Sequence, residues 1–173
     1  TAGGILWVTI AFAGVIGLGR AFDREREEET HASLLLCPGS RSAIYLGKLA
    51  AVLLTVLALE VVLVPLVGVF FGVDLRGVAA RLALVLVLHT WGLCATGTFL
   101  GALVSRLRRG EALGAILLLP LVLPLLVSAG KCTPAVLAGR PLSEIRFWLV
   151  LAGAFGAVVT AVSVLLFDPL LEE

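Results

Sequence analysis

The sequence predicts an all-α integral membrane protein, a bundle of five transmembrane helices forming a single domain over residues 1–173. Two observations carry this reading. Hydrophobic residues make up 60% of the chain and charged residues 14%, whereas a soluble domain carries about 25% charged residues. The apolar residues also fall in long uncharged runs, and about 18 in a row read as a spanning helix. A formal net charge of +1 leaves nothing for nucleic acid to bind, so that class of partner is set aside and membrane lipid is the expected surrounding.

Taken in order, the spans fall at about 2–19, 43–73, 82–104, 112–130 and 147–167. The first, Ala2 to Gly19, is uncharged until Arg20, and it lacks the basic flank and small-residue cleavage site of a signal peptide. A polar segment covers 20–42. The second span is interrupted by Lys48 near its start and Glu60 near its middle. A short turn, 74–81, leads to the third span, and a hairpin at 105–110 to the fourth. Pro120 and Pro124 inside the fourth span remove backbone donors and are expected to kink it. A polar loop at 131–146 precedes the fifth span and a short acidic tail.

Alternate crossings place Arg20, Arg24, Arg26, Arg41, Lys48, Arg106, Arg108 and Arg109 on one side, and Arg76, Arg81, Lys131, Arg140 and Arg146 on the other. The excess of Lys and Arg marks the cytoplasmic side, so the C-terminus is expected inside. Five crossings would then leave residue 1 outside, and a further helix upstream of Thr1, six in the complete protein, is the simpler expectation. Cys37 and Cys132 are placed in polar loops and Cys94 in a span. If those loops lie on opposite faces, a core of about 30 Å separates them, too far for a disulfide. The spacing suits no metal site.

The segment after the first span is too long for a turn. It opens with Asp23-Arg24-Glu25-Arg26-Glu27-Glu28-Glu29 and closes with Leu34-Leu35-Leu36 before Pro38. Helix formers with Asp23 and Arg26 at i,i+3 spacing, followed by an apolar run, fit an interfacial helix with a charged face. Two readings stay open on pattern alone: a solvated connecting helix, or a docking element for a cytoplasmic partner.

The stretch Leu18-Gly19-Arg20-Ala21-Phe22-Asp23-Arg24-Glu25-Arg26-Glu27, with Leu34-Leu35-Leu36-Cys37-Pro38 and Arg41-Ser42-Ala43-Ile44-Tyr45-Leu46-Gly47-Lys48, resembles the haem exporter protein B family of the cytochrome c maturation system. Leu119-Pro120-Leu121-Val122-Leu123-Pro124 and the ending Leu166-Phe167-Asp168-Pro169-Leu170-Leu171-Glu172-Glu173 are similar too. The chain departs from the family's Gly-Thr-Leu-Glu pattern, reading Glu29-Thr30-His31-Ala32. The resemblance implies a type-2 ABC transporter permease of six helices in the bacterial inner membrane. It implies that Arg20 to Pro38 is a cytoplasmic coupling helix docking on a separate ABC ATPase subunit. Arg20, Phe22, Asp23, Arg24, Glu25, Arg26, Glu27, Leu34, Leu35 and Pro38 would form that contact. Partners so implied are the ATPase, other cytochrome c maturation membrane subunits, a haem chaperone, and a second copy or second permease.

No catalytic residue is expected in this chain. Gly47-Lys48 resembles the end of a phosphate loop, but Ser42 replaces the first Gly and Leu49 the Mg²⁺-binding Ser/Thr. ATP is therefore expected to act through the partner subunit. Two titratable residues lie inside spans, Glu60 near mid-depth and His89 in the third span nearer the outer face. Such groups are functional candidates by default; the bland alternative is a hydrogen bond to a neighbouring helix. Thr96 is expected at the depth of Glu60, with His89 roughly 10 Å further out. Gly97 with Gly101, and Ala13 with Gly17, form small-xxx-small patterns that favour helix contact.

No metal and no cofactor is expected on the chain itself, haem being a ligand handled or transported. Met is absent, Tyr45 sits at the inner end of its span, and most of the membrane separates His31 from His89. The resulting expectation is a permease subunit of an ABC complex for c-type cytochrome biogenesis, exporting haem or driving release of a haem-loaded chaperone. A permease for a drug or glycan, and a non-transporting membrane assembly scaffold, are the alternatives.

Overall fold

In hydrocarbon every backbone N–H and C=O needs an internal partner, so uncharged runs of Leu, Val, Ala and Gly have helix as their available form. The computed structural model describes residues 2–27, 41–104 and 110–170, with the side chains of 2, 15, 17–27, 41–42, 104, 110–115, 119 and 167–170 undescribed. It contains helices α1 (Ala2–Glu27), α2 (Arg41–Phe71), α3 (Ala79–Val104), α4 (Gly110–Leu137) and α5 (Leu142–Leu170). Four of them are long and apolar enough to cross a membrane, and α1 contributes the shorter apolar stretch Gly3–Gly14. The chain is a multi-pass helical membrane protein.

Two boundaries differ from the sequence expectation. Helix α1 does not stop at Gly19 but runs unbroken to Glu27, because Arg20 to Glu27 includes strong helix formers and a helix can leave the membrane without ending. The backbone of Arg20 to Glu27 therefore continues the first helix. Residues 28–40, with His31, Leu34, Leu35, Cys37 and Pro38, lie outside the described residues, as does most of the 105–110 hairpin. Helix α4 continues past Lys131 to Leu137, so the expected loop at 131–146 shrinks to a turn at 138–141. Cys132, expected in that loop, is fully buried in the helix, where it joins a core cluster with Ala129 and Val136. Pro65 in α2 and Pro120, Pro124 and Pro134 in α4 lie within continuous helices.

Both turns at one end are fixed by glycine. Gly72 and Gly139 have φ of 63° and 74°, the left-handed region open to glycine without steric cost. Each follows a helix. Val73 N–H donates to Gly68 O at 2.9 Å, and Arg140 N–H to Ala135 O at 3.0 Å, the six-to-one bond of a Schellman cap. Arg81 joins the turns to each other, donating to Gly139 O (3.3 Å), Arg140 O (3.0 Å) and Gly77 O (3.2 Å).

Helix α3 is the hub. It packs against all four other helices, which follow one another around it in the order α1, α2, α5, α4, with α4 closing on α1. Accordingly 67% of its membrane window is buried, against 22% for α2 and 17% for α5. The outer faces carry large apolar side chains such as Val61, Val69, Phe70 and Leu165, which suit lipid. Close approach of α3 and α5 falls at Gly92 and Gly156. A Cβ on Gly156 would lie 3.1 Å from the Trp91 ring and 3.5 Å from Gly92 Cα, the near contact that small residues permit between membrane helices.

Candidate functional site

Because α3 is enclosed, its polar side chains have only the bundle to supply partners, and Thr98 Oγ1, buried on this helix, has none. His89, Thr90 and Thr96 are fully buried, and Glu60 of α2 is 3% exposed. The Thr90 hydroxyl donates to Glu60 Oε1. Thr96, expected at the depth of Glu60, instead donates back to Gly92 O of its own helix at 2.8 Å. The reason is register. Glu60 and Thr90 lie equally far along α2 and α3 from the turn that joins them, so an antiparallel pair brings them level. The same register puts His89 beside Glu60 in depth rather than roughly 10 Å outward.

His89 uses both ring nitrogens. Nδ1 lies 2.7 Å from Val85 O, one turn back in α3, and Nε2 lies 2.8 Å from Ser128 Oγ of α4. Ser128 Oγ is in turn 3.0 Å from Trp148 O of α5. From α1, the Trp7 ring stands 5.4 Å from the His89 ring at 58°, while Trp7 Nε1 donates to Thr133 Oγ1 of α4 at 2.8 Å. Farther from the turns, the Tyr45 hydroxyl of α2 donates to Ala95 O of α3 at 3.2 Å. All five helices thus contribute to one buried polar layer.

Of the candidate residues with described side chains, Glu60 and His89 enter this layer, joined by Tyr45. The backbone of Arg20 to Glu27 forms the last turns of α1. Thr90, Ser128, Thr133, Trp7 and Trp148 were missed. Their one sequence signal is a small hydroxyl or an indole within an otherwise apolar run, and Thr and Ser are too common in such helices to be selected without a partner in view.

Among the described residues no cluster of His, Cys, Asp and Glu is arranged to hold a metal. Cys94 and Cys132 are free and buried. A small crevice, lined by Leu6, Val64, Gly68, Leu75 and Leu82 among others, opens near the 72–78 turn. Its walls are almost wholly apolar, so they offer a small polar substrate no orienting groups. What the polar layer can do chemically is hold or move protons and tie helices together.

The model of the CcmB protein family matches residues 1–169. The chain belongs to the CcmB family. Two relatives carry the name heme exporter protein B. That of Pseudomonas aeruginosa is 32% identical over 158 residues, covering 91% of this chain and 70% of its own length. That of Bradyrhizobium diazoefficiens is 34% identical over 138 residues, covering 78% of this chain and 60% of its own length. In a CcmB-family chain spanning only part of these relatives, the buried layer is a feature of the matched region itself.

Proposed function

We propose that this chain is the transmembrane permease subunit of an ABC complex serving c-type cytochrome biogenesis in the bacterial inner membrane. The observation that carries this reading is membership of the CcmB family across residues 1–169, joined to a helical bundle able to span a membrane. The relatives' name, heme exporter protein B, supports haem as the ligand handled by the complex. ATP is hydrolysed by a separate ATPase subunit, since the sequence lacks a phosphate loop. The charged end of α1 and the residues that follow, Arg20 to Pro38, are the contact that receives the ATPase stroke. Their position between α1 and α2 supports this: a push there acts on two adjacent helices of the ring around α3.

Haem iron is held by other subunits, including the haem chaperone. Both nitrogens of His89 are already engaged by Val85 and Ser128, which leaves this imidazole without a free lone pair for axial ligation. Purifying the chain with its ATPase, in bilayers, and adding haem-loaded chaperone tests the reading. Chaperone-stimulated ATP hydrolysis that requires this chain is expected. Hydrolysis that is unaffected by chaperone, or stimulated instead by a drug or glycan, would overturn it.

A further inference from the structure

A helix that runs through a proline keeps a carbonyl its own backbone cannot serve. In α4, continuous from Gly110 to Leu137, each carbonyl takes the N–H four residues on. Pro120 and Pro124 have no N–H, so Ile116 O and Pro120 O lose that donor. The flanking N–H groups have acceptors of their own. By the same rule Leu119 and Leu121 serve Ala115 and Leu117, and Leu123 and Leu125 serve Leu119 and Leu121. Among the described residues no side chain donates to either carbonyl.

Both carbonyls sit on the outward side of the bundle. Ile116, Pro120, Leu123, Pro124 and Val127 follow at three- and four-residue spacing, which makes one helix face, and all are exposed. The neighbouring helices meet α4 elsewhere, through Leu118, Val122 and Leu125. With 28 residues α4 is about 42 Å long, and Ile116 and Pro120 lie about 11 and about 5 Å from its middle. That is inside a hydrocarbon core about 30 Å thick, where water is scarce and lipid tails have no hydrogen to donate. The ring of each proline also crowds the carbonyl four residues back, which turns it away from the helix axis.

We propose that the Ile116–Val127 face of α4 is where a transmembrane helix of another subunit docks, presenting hydroxyl, amide or indole donors to Ile116 O and Pro120 O. The inference rests on the reading of this chain as one subunit of a membrane complex. Backbone groups freed by proline in membrane helices are met by neighbouring helices and their polar side chains. The two acceptors stand about 6 Å apart along the axis, the rise over four residues, which suits two donors one turn apart on the arriving helix. A second copy of this chain does not meet the requirement. Across a two-fold axis the face would meet itself, and its side chains are aliphatic. The exposed hydroxyls of the described spans, Thr9 and Thr55, already donate to Ile5 O and Ala51 O.

Carbonyl magnetic resonance on the full chain in lipid bilayers reads the freed acceptor directly. The pair Ile-Leu occurs at 5–6 and 116–117, so ¹³C-carbonyl isoleucine with ¹⁵N-leucine in an Ile5→Val background selects Ile116. In the chain alone its resonance is expected upfield of the helical carbonyls, and in the assembled complex it should move downfield. A position within the helical range before assembly, or no movement on assembly, overturns the docking. Pro120→Ala with Pro124→Ala restores both N–H groups. It should move the resonance downfield in the chain alone and reduce recovery of the neighbouring membrane subunit. Recovery equal to that of the unmodified chain overturns the proposal; if the double variant does not fold, the resonance of the unmodified chain decides alone. A photoreactive residue at Leu123 identifies the neighbour: a crosslink to a membrane subunit of different sequence is expected, and crosslinks only to a second copy or to lipid overturn it. Chaperone-stimulated ATP hydrolysis is measured separately, so the docking can fail while the permease reading stands.

Discussion

Replacing Thr90 with Val keeps the side-chain shape and removes the one hydroxyl that donates to Glu60 Oε1. Two terms set the cost. An interhelical side-chain hydrogen bond in a membrane protein contributes about 0.6 kcal/mol on average and at most about 1.7. Leaving a buried acceptor unpaired adds the desolvation of that group, about 1–3 kcal/mol, and Glu60 is only 3% exposed. Thr90→Val should therefore destabilise the bundle by about 1–3 kcal/mol, the upper part of the range applying if no water reaches Glu60. The double variant Glu60→Leu with Thr90→Val removes donor and acceptor together. It should cost less than the sum of the single changes, with a coupling of about 0.5–3 kcal/mol as for residues in direct contact. Reversible unfolding in mixed detergent micelles, run as a double-mutant cycle, measures all four corners. A Thr90→Val variant as stable as the parent, or strictly additive costs, would refute the pairing of these two side chains.

Four other outcomes are expected. Gly156→Ala should destabilise more than Gly92→Ala in the same unfolding assay. Its Cβ meets the rigid Trp91 ring at 3.1 Å, whereas that of Gly92 meets the end of Leu125 at 3.0 Å, which can turn aside; overpacking costs about 1–3 kcal/mol. Cys94 and Cys132 should resist a membrane-impermeant thiol reagent until the protein is denatured, because both are fully buried. In a chain without native cysteines, Arg140→Cys on the exposed turn should be labelled in intact spheroplasts, and labelling only after permeabilisation would invert the topology. Reversing both Arg24 and Arg26 to Glu should reduce recovery of the ATPase with this chain while leaving membrane insertion intact. Exposed ion pairs contribute only about 0–1 kcal/mol each, so the double change is the informative one; undiminished recovery at raised salt would place the docking elsewhere.

What the sequence by itself determined follows from local properties. Length of apolar run against bilayer thickness gives the membrane class and the five helices of the described residues, four of them long and apolar enough to span, since each span must satisfy its own backbone whatever its neighbours are. The mixed-charge stretch after Gly19 and the motifs around it were enough to identify the family. Glu60 and His89 stood out because an ionisable side chain within an apolar run is rare. Helix ends were less legible. Charge suggested stops at Gly19 and Gly130, yet α1 and α4 run on to Glu27 and Leu137, because charged helix formers extend a helix beyond the membrane and burial keeps Cys132 and Val136 in one.

Only the tertiary structure decided which helix is central and which side chains meet. That α3 is enclosed by the other four is a property of packing; α2 and α5 are no less apolar than α3 yet lie mostly open. The pairing of Glu60 with Thr90 depends on the antiparallel register set by the turn between α2 and α3, which no count from each helix's own start supplies. Ser128, Thr133, Trp7 and Trp148 are unremarkable in sequence and become partners because three helices, α1, α4 and α5, pack together around α3. A hydrogen bond between side chains 39 residues apart, as between His89 and Ser128, is written in the packing of two helices, and the local pattern of either one does not contain it.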